Sequence, residues 1–404
     1  MASADAPKIA YLLPDPGIPV GGTKGASVHV ESLCAAMARS GARVTLYAAN
    51  VTGPLAAPGA DAVTVVPVEV GHVRSGPGAE VSRMAAAARF FDVIGRSFAA
   101  DRPDWAHERL SLFAGSGSDL CAAAGIGRVV EVNAPVADER VRHFGLEMAA
   151  EAHDAERAAL GGARVLAVSQ PLADWAVAVG AAEASVVPNG ADTKGLDPRL
   201  WAARGARLRS GLGLDGRVVV GFAGSLKPWH GVELLFRAVT TMAQPDIGVL
   251  IVGDGPGRAA TERAAAAMPP SVAAVVTGAV PFSQMGGYLA AMDICVAPYL
   301  PSDTFYFSPL KVAEGMAAAR PVVASDFAPV RELLGPTGVL VEPGHVAQLG
   351  AAIEGLVVDA LARARLGAAA RARAVRYLDW DAVAGRTLSF AAPGACPGTG
   401  KDAR

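Results

Sequence analysis

Short apolar runs alternate along the chain with longer stretches in which apolar residues recur at three- and four-residue spacing. This is the pattern of β-α units. The first run, Ile9-Ala10-Tyr11-Leu12-Leu13, reads as a strand. A Pro/Gly-rich loop follows from Pro14 to Gly25, then a helix from about Ser27 to Ser40. In that helix Val28, Leu33, Met37 and Ala38 fall near helical spacing, and Gly41 closes it. Arg43 to Ala48 is the next strand. A β-α-β opening predicts a parallel sheet with helices packed on its faces. The series continues with a strand over Val63–Val70, a helix over Glu80–Ala100 and a short strand ending at His107. A buried strand over Arg128–Val132, a helix over Ala149–Leu160 and a strand over Val165–Val168 come next, and Val186-Val187-Pro188 closes it.

At Pro188-Asn189-Gly190 the chain turns, and Asp192 to Pro198 reads as a connector. The alternation then restarts. Strands are expected over Val218–Phe222, Ile247–Val252, Val272–Val276, Ile294–Ala297 and Val322–Ala324. Helices are expected over Val232–Met242 and Ala259–Met268, with another beginning at Pro309. Two such series predict an α/β protein of two Rossmann-like domains facing each other across a cleft. Residues 1–190 would form the first domain and residues 191–376 the second. An Ala/Arg-rich helix over Asp359–Arg376 ends the second series. The segment from about 377 to 404 would pack back on the first domain, with a frayed end from Ala391. In such sheets ligands bind outside the carboxyl ends of the strands.

Composition narrows the class. The chain has 404 residues, 52% of them apolar, and a net charge of -2, so no basic field exists to gather nucleic acid. Cys34, Cys121, Cys295 and Cys396 lie far apart without a C-x-x-C pair and read as reduced, buried thiols of a cytoplasmic protein. The N-terminus lacks the pattern of a signal peptide. The longest uncharged run, Val272 to Met292, contains Gly278, Pro281, Gly286 and Gly287 and divides into strand, turn and helix rather than a membrane span. The oligomeric state is not legible.

Several post-strand segments carry candidate chemistry. Gly21 and Gly22 stand between the first strand and first helix, where backbone can approach a phosphate at a helix N-terminus. The second strand ends Tyr47-Ala48-Ala49-Asn50 without the acid that an NAD ribose needs, which disfavours a dehydrogenase. In Gly224-Ser225-Leu226-Lys227-Pro228-Trp229-His230-Gly231, Lys227 and His230 supply two donors for a diphosphate. Ser308 suits an N-cap and Pro309 a first helical position, which would aim the N–H groups of Leu310 and Lys311 at an anion. Glu314, one turn on, suits the two hydroxyls of a ribose. Gly253 and the backbone around Val280 are candidate nucleobase contacts. Arg109, Glu131, Asn133, Tyr306, Phe307 and Ser308 are candidate sugar or acceptor contacts. His107-Glu108-Arg109 and Glu131-Val132-Asn133 are expected to follow strands and line the cleft.

The ordered set Gly21–Val30, Glu131–Pro135, Pro188–Asp192, Gly224–Gly231, Gly253–Pro256 and Ser308–Ala317 resembles glycosyltransferase family 4, over about residues 8 to 390. The resemblance implies a GT-B fold and a retaining, metal-independent transferase acting on a nucleotide-diphosphate sugar, with GDP and UDP the favoured nucleotides. The acceptor would be a small molecule or saccharide, in a setting such as specialised metabolism. No cofactor is implied beyond the sugar nucleotide as co-substrate. By position, Gly22 would approach the donor phosphates. Ser225 and His230 fall where the family commonly has an arginine and a lysine on the diphosphate, with Lys227 between them. Glu314 matches the second glutamate of the E-x7-E motif. Tyr306 stands at its first glutamate, and Asn133 near a histidine common beside the transferred sugar.

The mechanism that follows is front-face displacement, with Asn133, Lys227 and His230 as the catalytic candidates and orientation and charge stabilisation as the main contributions. Asp379-Trp380-Asp381 looks like the D-x-D metal site of the other glycosyltransferase fold, but it follows an Arg-rich helix, where an aspartate suits a cap. Two rival readings remain. One is a GT-B nucleotide-sugar epimerase, with Glu108, Glu131 or His107 as acid/base groups; the other is a non-catalytic sugar-nucleotide-binding protein.

Overall fold

The computed structural model describes residues 6–76, 78–243 and 246–392. Its contacts divide the chain into two units, Met1–Pro188 with Trp380–Arg404, and Asn189–Asp379.

The first unit is built on a seven-stranded parallel sheet. Its strands are β1 (Lys8–Leu13), β2 (Arg43–Ala48), β3 (Thr64–Pro67), β4 (Trp105–Arg109), β5 (Gly127–Val132), β6 (Arg164–Ala167) and β7 (Glu183–Val186), in the order β3-β2-β1-β4-β5-β6-β7. The order reverses beside β1, the switch point at which open α/β sheets bind ligands. Central strands covered on both faces need apolar residues throughout, and Ile9 to Leu13 are all buried. The helix Ala79–Ala100 covers one face with Ala87, Phe90, Phe91, Ile94 and Phe98, a helical spacing. The helix Trp380–Ala391 buries Trp380, Val383, Ala384 and Thr387 and packs on the helix Gly25–Arg39.

Some boundaries depart from the sequence reading. Residues 107–109 and 131 lie inside β4 and β5 rather than after them, because the sheet's hydrogen bonding continues through Arg109↔Glu131. Ala391 ends a helix instead of beginning a frayed end; residues beyond 392, Cys396 included, lie outside the described residues. Cys34, Cys121 and Cys295 are free and buried.

The second unit has a six-stranded parallel sheet, ordered β10-β9-β8-β11-β12-β13. Its strands are β8 (Val218–Ala223), β9 (Ile247–Val252), β10 (Ala273–Val276), β11 (Ile294–Ala297), β12 (Val322–Ser325) and β13 (Val339–Val341). The expected connector ends in a helix, Pro198–Gly211, because the Asp197 carboxylate accepts from the Arg199 N–H at 2.9 Å and Pro198 occupies the first turn. The uncharged run divides into β10 and the helix Met285–Ala291. No described helix is long and apolar enough to cross a membrane. The helix Leu310–Ala317 has Pro309 at its cap position. Ser308 is not the cap: its hydroxyl accepts the Asn189 N–H at 2.9 Å, and its carbonyl accepts from Asn189 Nδ2 at 2.7 Å.

Candidate functional site

In the second unit, the ends of β8, β9 and β10 are joined by close glycine backbone. Gly253, at φ +151°, donates its N–H to the Gly278 carbonyl at 2.9 Å. A Cβ on Gly253 would stand 1.8 Å from the Gly224 carbonyl oxygen, so only glycine fits. The Leu226 N–H donates to the Asp254 carbonyl at 2.9 Å, and the Gly257 N–H to the Leu226 carbonyl at 2.7 Å. These bonds tie the loop Gly224–Gly231 to the turn after β9. Val280, four residues after the end of β10, is half-buried.

Within that loop the two expected donors differ. Lys227 Nζ sits 4.9 Å from the Trp229 ring centre. His230 Nδ1 lies 2.6 Å from the Ser225 carbonyl oxygen, which can only accept, so Nδ1 carries the proton. Burial, then the charges of Lys311 and Lys227, pull the imidazole down to about 3. At neutral pH its Nε2 is therefore a bare acceptor, and His230 offers an anion no donor. The Ser225 side chain is exposed and uncharged.

The strongest unmet demand belongs to Lys311. Its Nζ is shielded from solvent and has no hydrogen-bond partner. It lies 4.5 Å from the Phe222 ring centre at the end of β8 and 5.0 Å from that of Tyr299, just after β11. His230 packs on the same two rings, with centroid separations of 6.2 Å and 5.5 Å. Burial pulls Lys311 down to about 7, with Lys227 adding to the effect and Glu314 opposing it. Glu314, one turn along the same helix, is half-buried; burial pushes its carboxyl up to about 7 against the pull of Lys311. Leu310 is half-buried at the helix start. Tyr306 is buried against Phe307, which in turn meets Phe305 edge-on.

In the first unit, Glu131 at the end of β5 forms a buried hub. Its carboxylate accepts from Tyr11 Oη at 2.9 Å, His107 Nε2 at 2.9 Å and Arg109 Nη1 at 2.6 Å, and from Asn133 Nδ2. His29 Nε2 is 2.8 Å from Oε1, close enough for an ion pair but bent away from hydrogen-bond alignment. Burial alone would raise the Glu131 carboxyl; His29 and Arg109, with the hydrogen bonds, outweigh it and hold the group well below the usual carboxylate range. Arg109 and Glu131, read from sequence as sugar or acceptor contacts, are thus each other's partners and buried, because a charge inside a parallel sheet must be paired. Asn133 is half-buried at the hub's edge. Glu108 is fully buried and paired with Arg128 at 2.6 Å. Gly21, at φ +81°, gives its N–H to Glu31 at 2.8 Å, and a Cβ there would lie 2.6 Å from the Gly53 nitrogen. A Cβ on Gly22 would meet Pro19 at 2.8 Å. Both glycines therefore serve the loop's own packing.

The sequence reading missed Phe222, Tyr299 and the side-chain role of Lys311. The available signal was an aromatic residue at or just beyond the end of an apolar strand, as in Phe222 and Ala297-Pro298-Tyr299.

Comparison with known proteins identifies the family. Residues 23–194 match the description Glycosyltransferase Family 4, and residues 217–359 match Glycosyl transferases group 1. The chain belongs to glycosyltransferase family 4. It is 35% identical over 197 residues to a GDP-mannose-dependent alpha-mannosyltransferase of Mycolicibacterium smegmatis, covering 48% of this chain and 47% of the relative. It is 29% identical over 168 residues to the alpha-D-kanosaminyltransferase of Streptomyces kanamyceticus, covering 41% of this chain and 42% of the relative. The chain spans about half the length of the curated relatives it matches. Among solved structures, sucrose-phosphate synthase from Thermosynechococcus elongatus aligns with a TM-score of 0.73 at 20% identity, covering 94% of this chain and 97% of the other. Anabaena HepE in complex with UDP-glucose aligns with a TM-score of 0.67 at 20% identity, covering 95% and 99%. These likenesses establish the family member's fold as GT-B, with two Rossmann-like units.

Proposed function

We propose that this family-4 protein is a retaining, metal-independent glycosyltransferase that moves a sugar from a GDP- or UDP-linked donor to a small-molecule or saccharide acceptor. The observation that carries the reading is the uncompensated cationic cluster in the second unit. Lys227 and Lys311 gather beside the end of β8, at the carboxyl side of the sheet where ligands of this fold class bind. A departing diphosphate is the dianionic ligand such a cluster suits. Glu314 is the partner proposed for the ribose hydroxyls, with Gly253 and Val280 near the base and Leu310 near the phosphates. Tyr306, Phe307 and Ser308 are the second unit's candidates for sugar contact, and Asn133, held by Glu131, is a candidate of the first unit. Gly21 and Gly22 shape the loop before the first helix.

Metal independence draws support from the two aspartates of Asp379-Trp380-Asp381. Asp381 pairs with Arg39 at 2.6 Å, and Asp379 accepts from the Thr193 hydroxyl. Three buried free thiols suit a reducing, cytoplasmic setting. The rival epimerase reading needs acid/base groups at the sugar. Glu108, Glu131 and His107 are buried and paired, which disfavours it.

The test is a thermal-shift panel of UDP, GDP, ADP, dTDP and NAD, without metal and then with magnesium. One diphosphate at a hundred times its dissociation constant is expected to stabilise the fold by about 2.7 kcal/mol without metal. Mass spectrometry of products, with and without acceptor, and NMR of the anomeric proton then establish transfer and retention. Stabilisation by NAD alone, or a new sugar nucleotide formed without acceptor, would refute the proposal.

A further inference from the structure

The position that commonly carries the loop arginine is Ser225, and the one that commonly carries the loop lysine is a histidine with no free donor at neutral pH. A diphosphate arriving here meets fewer cations than the resemblance implies. Lys311 reaches the same place from another element. A Cβ built on Gly224 would lie 2.9 Å from Lys311 Cε and 3.5 Å from Nζ, so the ammonium end rests against the first residue of the loop. Phe222 and Tyr299 hold it from the flank, and no carboxylate or carbonyl bonds it. An amine shut from water with no partner loses hydration without compensation, a cost that persists where a ligand removes it.

We infer that the side-chain ammonium of Lys311, reaching in from the helix Leu310–Ala317, joins Lys227 of the loop as a cation that binds the donor's diphosphate. The inference rests on the donor-site reading above and names a group within it that does the binding. The charged and titratable neighbours facing Lys311 are Lys227 and His230 from the loop, Glu314 from its own helix and Tyr299 after β11. Lys227 and His230 repel or ignore a proton on Lys311, and Glu314 favours one. The diphosphate adds an opposite charge and pulls Lys311 toward its ordinary basicity. Binding above neutral pH therefore takes up a proton. Affinity falls as pH rises above about 7, because the amine must then be recharged.

The experiment is calorimetric titration of the full chain with GDP and with UDP at pH 7.5 and 8.5, in two buffers of different ionisation heat. The wild type is expected to take up close to one proton at the higher pH and to lose up to about tenfold in affinity per pH unit. Lys311→Arg, whose side chain stays charged, is expected to bind without proton uptake and with little pH dependence. Lys311→Met is expected to lose about ten- to a hundredfold in affinity. His230→Gln is expected to keep the uptake. Uptake that persists in Lys311→Arg, or wild-type affinity in Lys311→Met, overturns the assignment and leaves the donor-site reading standing. Failure of the wild type to bind any nucleoside diphosphate overturns both. Should Lys311→Met not fold, Lys311→Arg decides the question alone.

Discussion

The buried charges of the two units are handled in opposite ways. Glu131 in the first unit is saturated: Tyr11, His29, His107, Arg109 and Asn133 all close on one carboxylate. Lys311 in the second unit has a covered ammonium, two aromatic faces and no acceptor. A charge whose needs are all met by its own chain is organised to stay as it is. One whose needs are unmet is organised to receive something. The difference separates positioning groups from binding groups in a way that residue type alone does not.

The comparison breaks most visibly at Glu131. Glu131→Ala leaves an arginine, two histidines and a tyrosine without their acceptor, and a destabilisation of about 3–5 kcal/mol is expected by chemical denaturation. The pH dependence has a definite sign. The folded carboxyl titrates well below an unfolded glutamate near 4.3, so its contribution is complete above that value and is lost as pH falls toward the folded one. A urea-melt series from pH 6 to pH 3 on wild type and Glu131→Gln checks this; equal slopes in the two proteins would remove the hub's claim to be ionised.

Glu314→Ala is expected next, with nucleoside diphosphate affinity falling about ten- to a hundredfold. The variant should no longer distinguish a nucleotide from its 2′,3′-dideoxy analogue; if it still does, the ribose is held elsewhere.

Lys311 in the ligand-free protein has the same slope as Glu131, in a more alkaline window and as a cost of burial rather than a gain from pairing. Its folded value near 7 lies below an unfolded lysine near 10.4, so the unfolded chain binds more protons between the two and stability rises with pH across that window. Lys311→Met should flatten this rise and leave the ligand-free fold at least as stable at pH 7, read from denaturation midpoints. A marked loss of stability would mean that the amine has a structural partner after all.

The smallest effect is expected at Asp381. Its ion pair with Arg39 is about one-third exposed on each side, 35% and 31%, and Asp381→Asn should change stability by less than about 1 kcal/mol, with no change in nucleotide affinity in the presence of magnesium.

Much of the architecture was legible because apolar runs and glycines mark parallel strands and their ends directly. β2, β9 and β11 have the bounds read from sequence, and the helix Ala149–Leu160 does too. Short helices such as Gly117–Ala124 and Val136–Phe144 were not, since each begins without a side-chain cap and rests on tertiary packing. The site was legible as a set of positions but not as a set of roles. Motif spacing places Arg109, Glu131 and His230 at or just after strand ends and Lys311 at a helix start; it does not tell which charge is already answered. His230 reads as a donor until its Nδ1 is seen bound to the Ser225 carbonyl, and Lys311 reads as a backbone contact until its ammonium is seen between two rings.

The chain leaves the first unit after Pro188 and re-enters it at Trp380, and the whole second unit is threaded between. Its own two ends meet: Ala191 bridges to Asp379, and the Ala191 N–H donates to the Leu378 carbonyl at 2.7 Å. Trp380, which packs edge-on against His29 at 5.3 Å, is therefore made last. On a ribosome working at about 5–20 residues per second, the helix that packs Trp380 against His29 emerges on the order of ten to forty seconds after the last strand of the first unit's sheet. The nascent first unit must wait for this helix until the insert has been translated, and a chaperone or a slow codon run acting in that interval would act on a sheet whose strands are complete but whose last helix is missing.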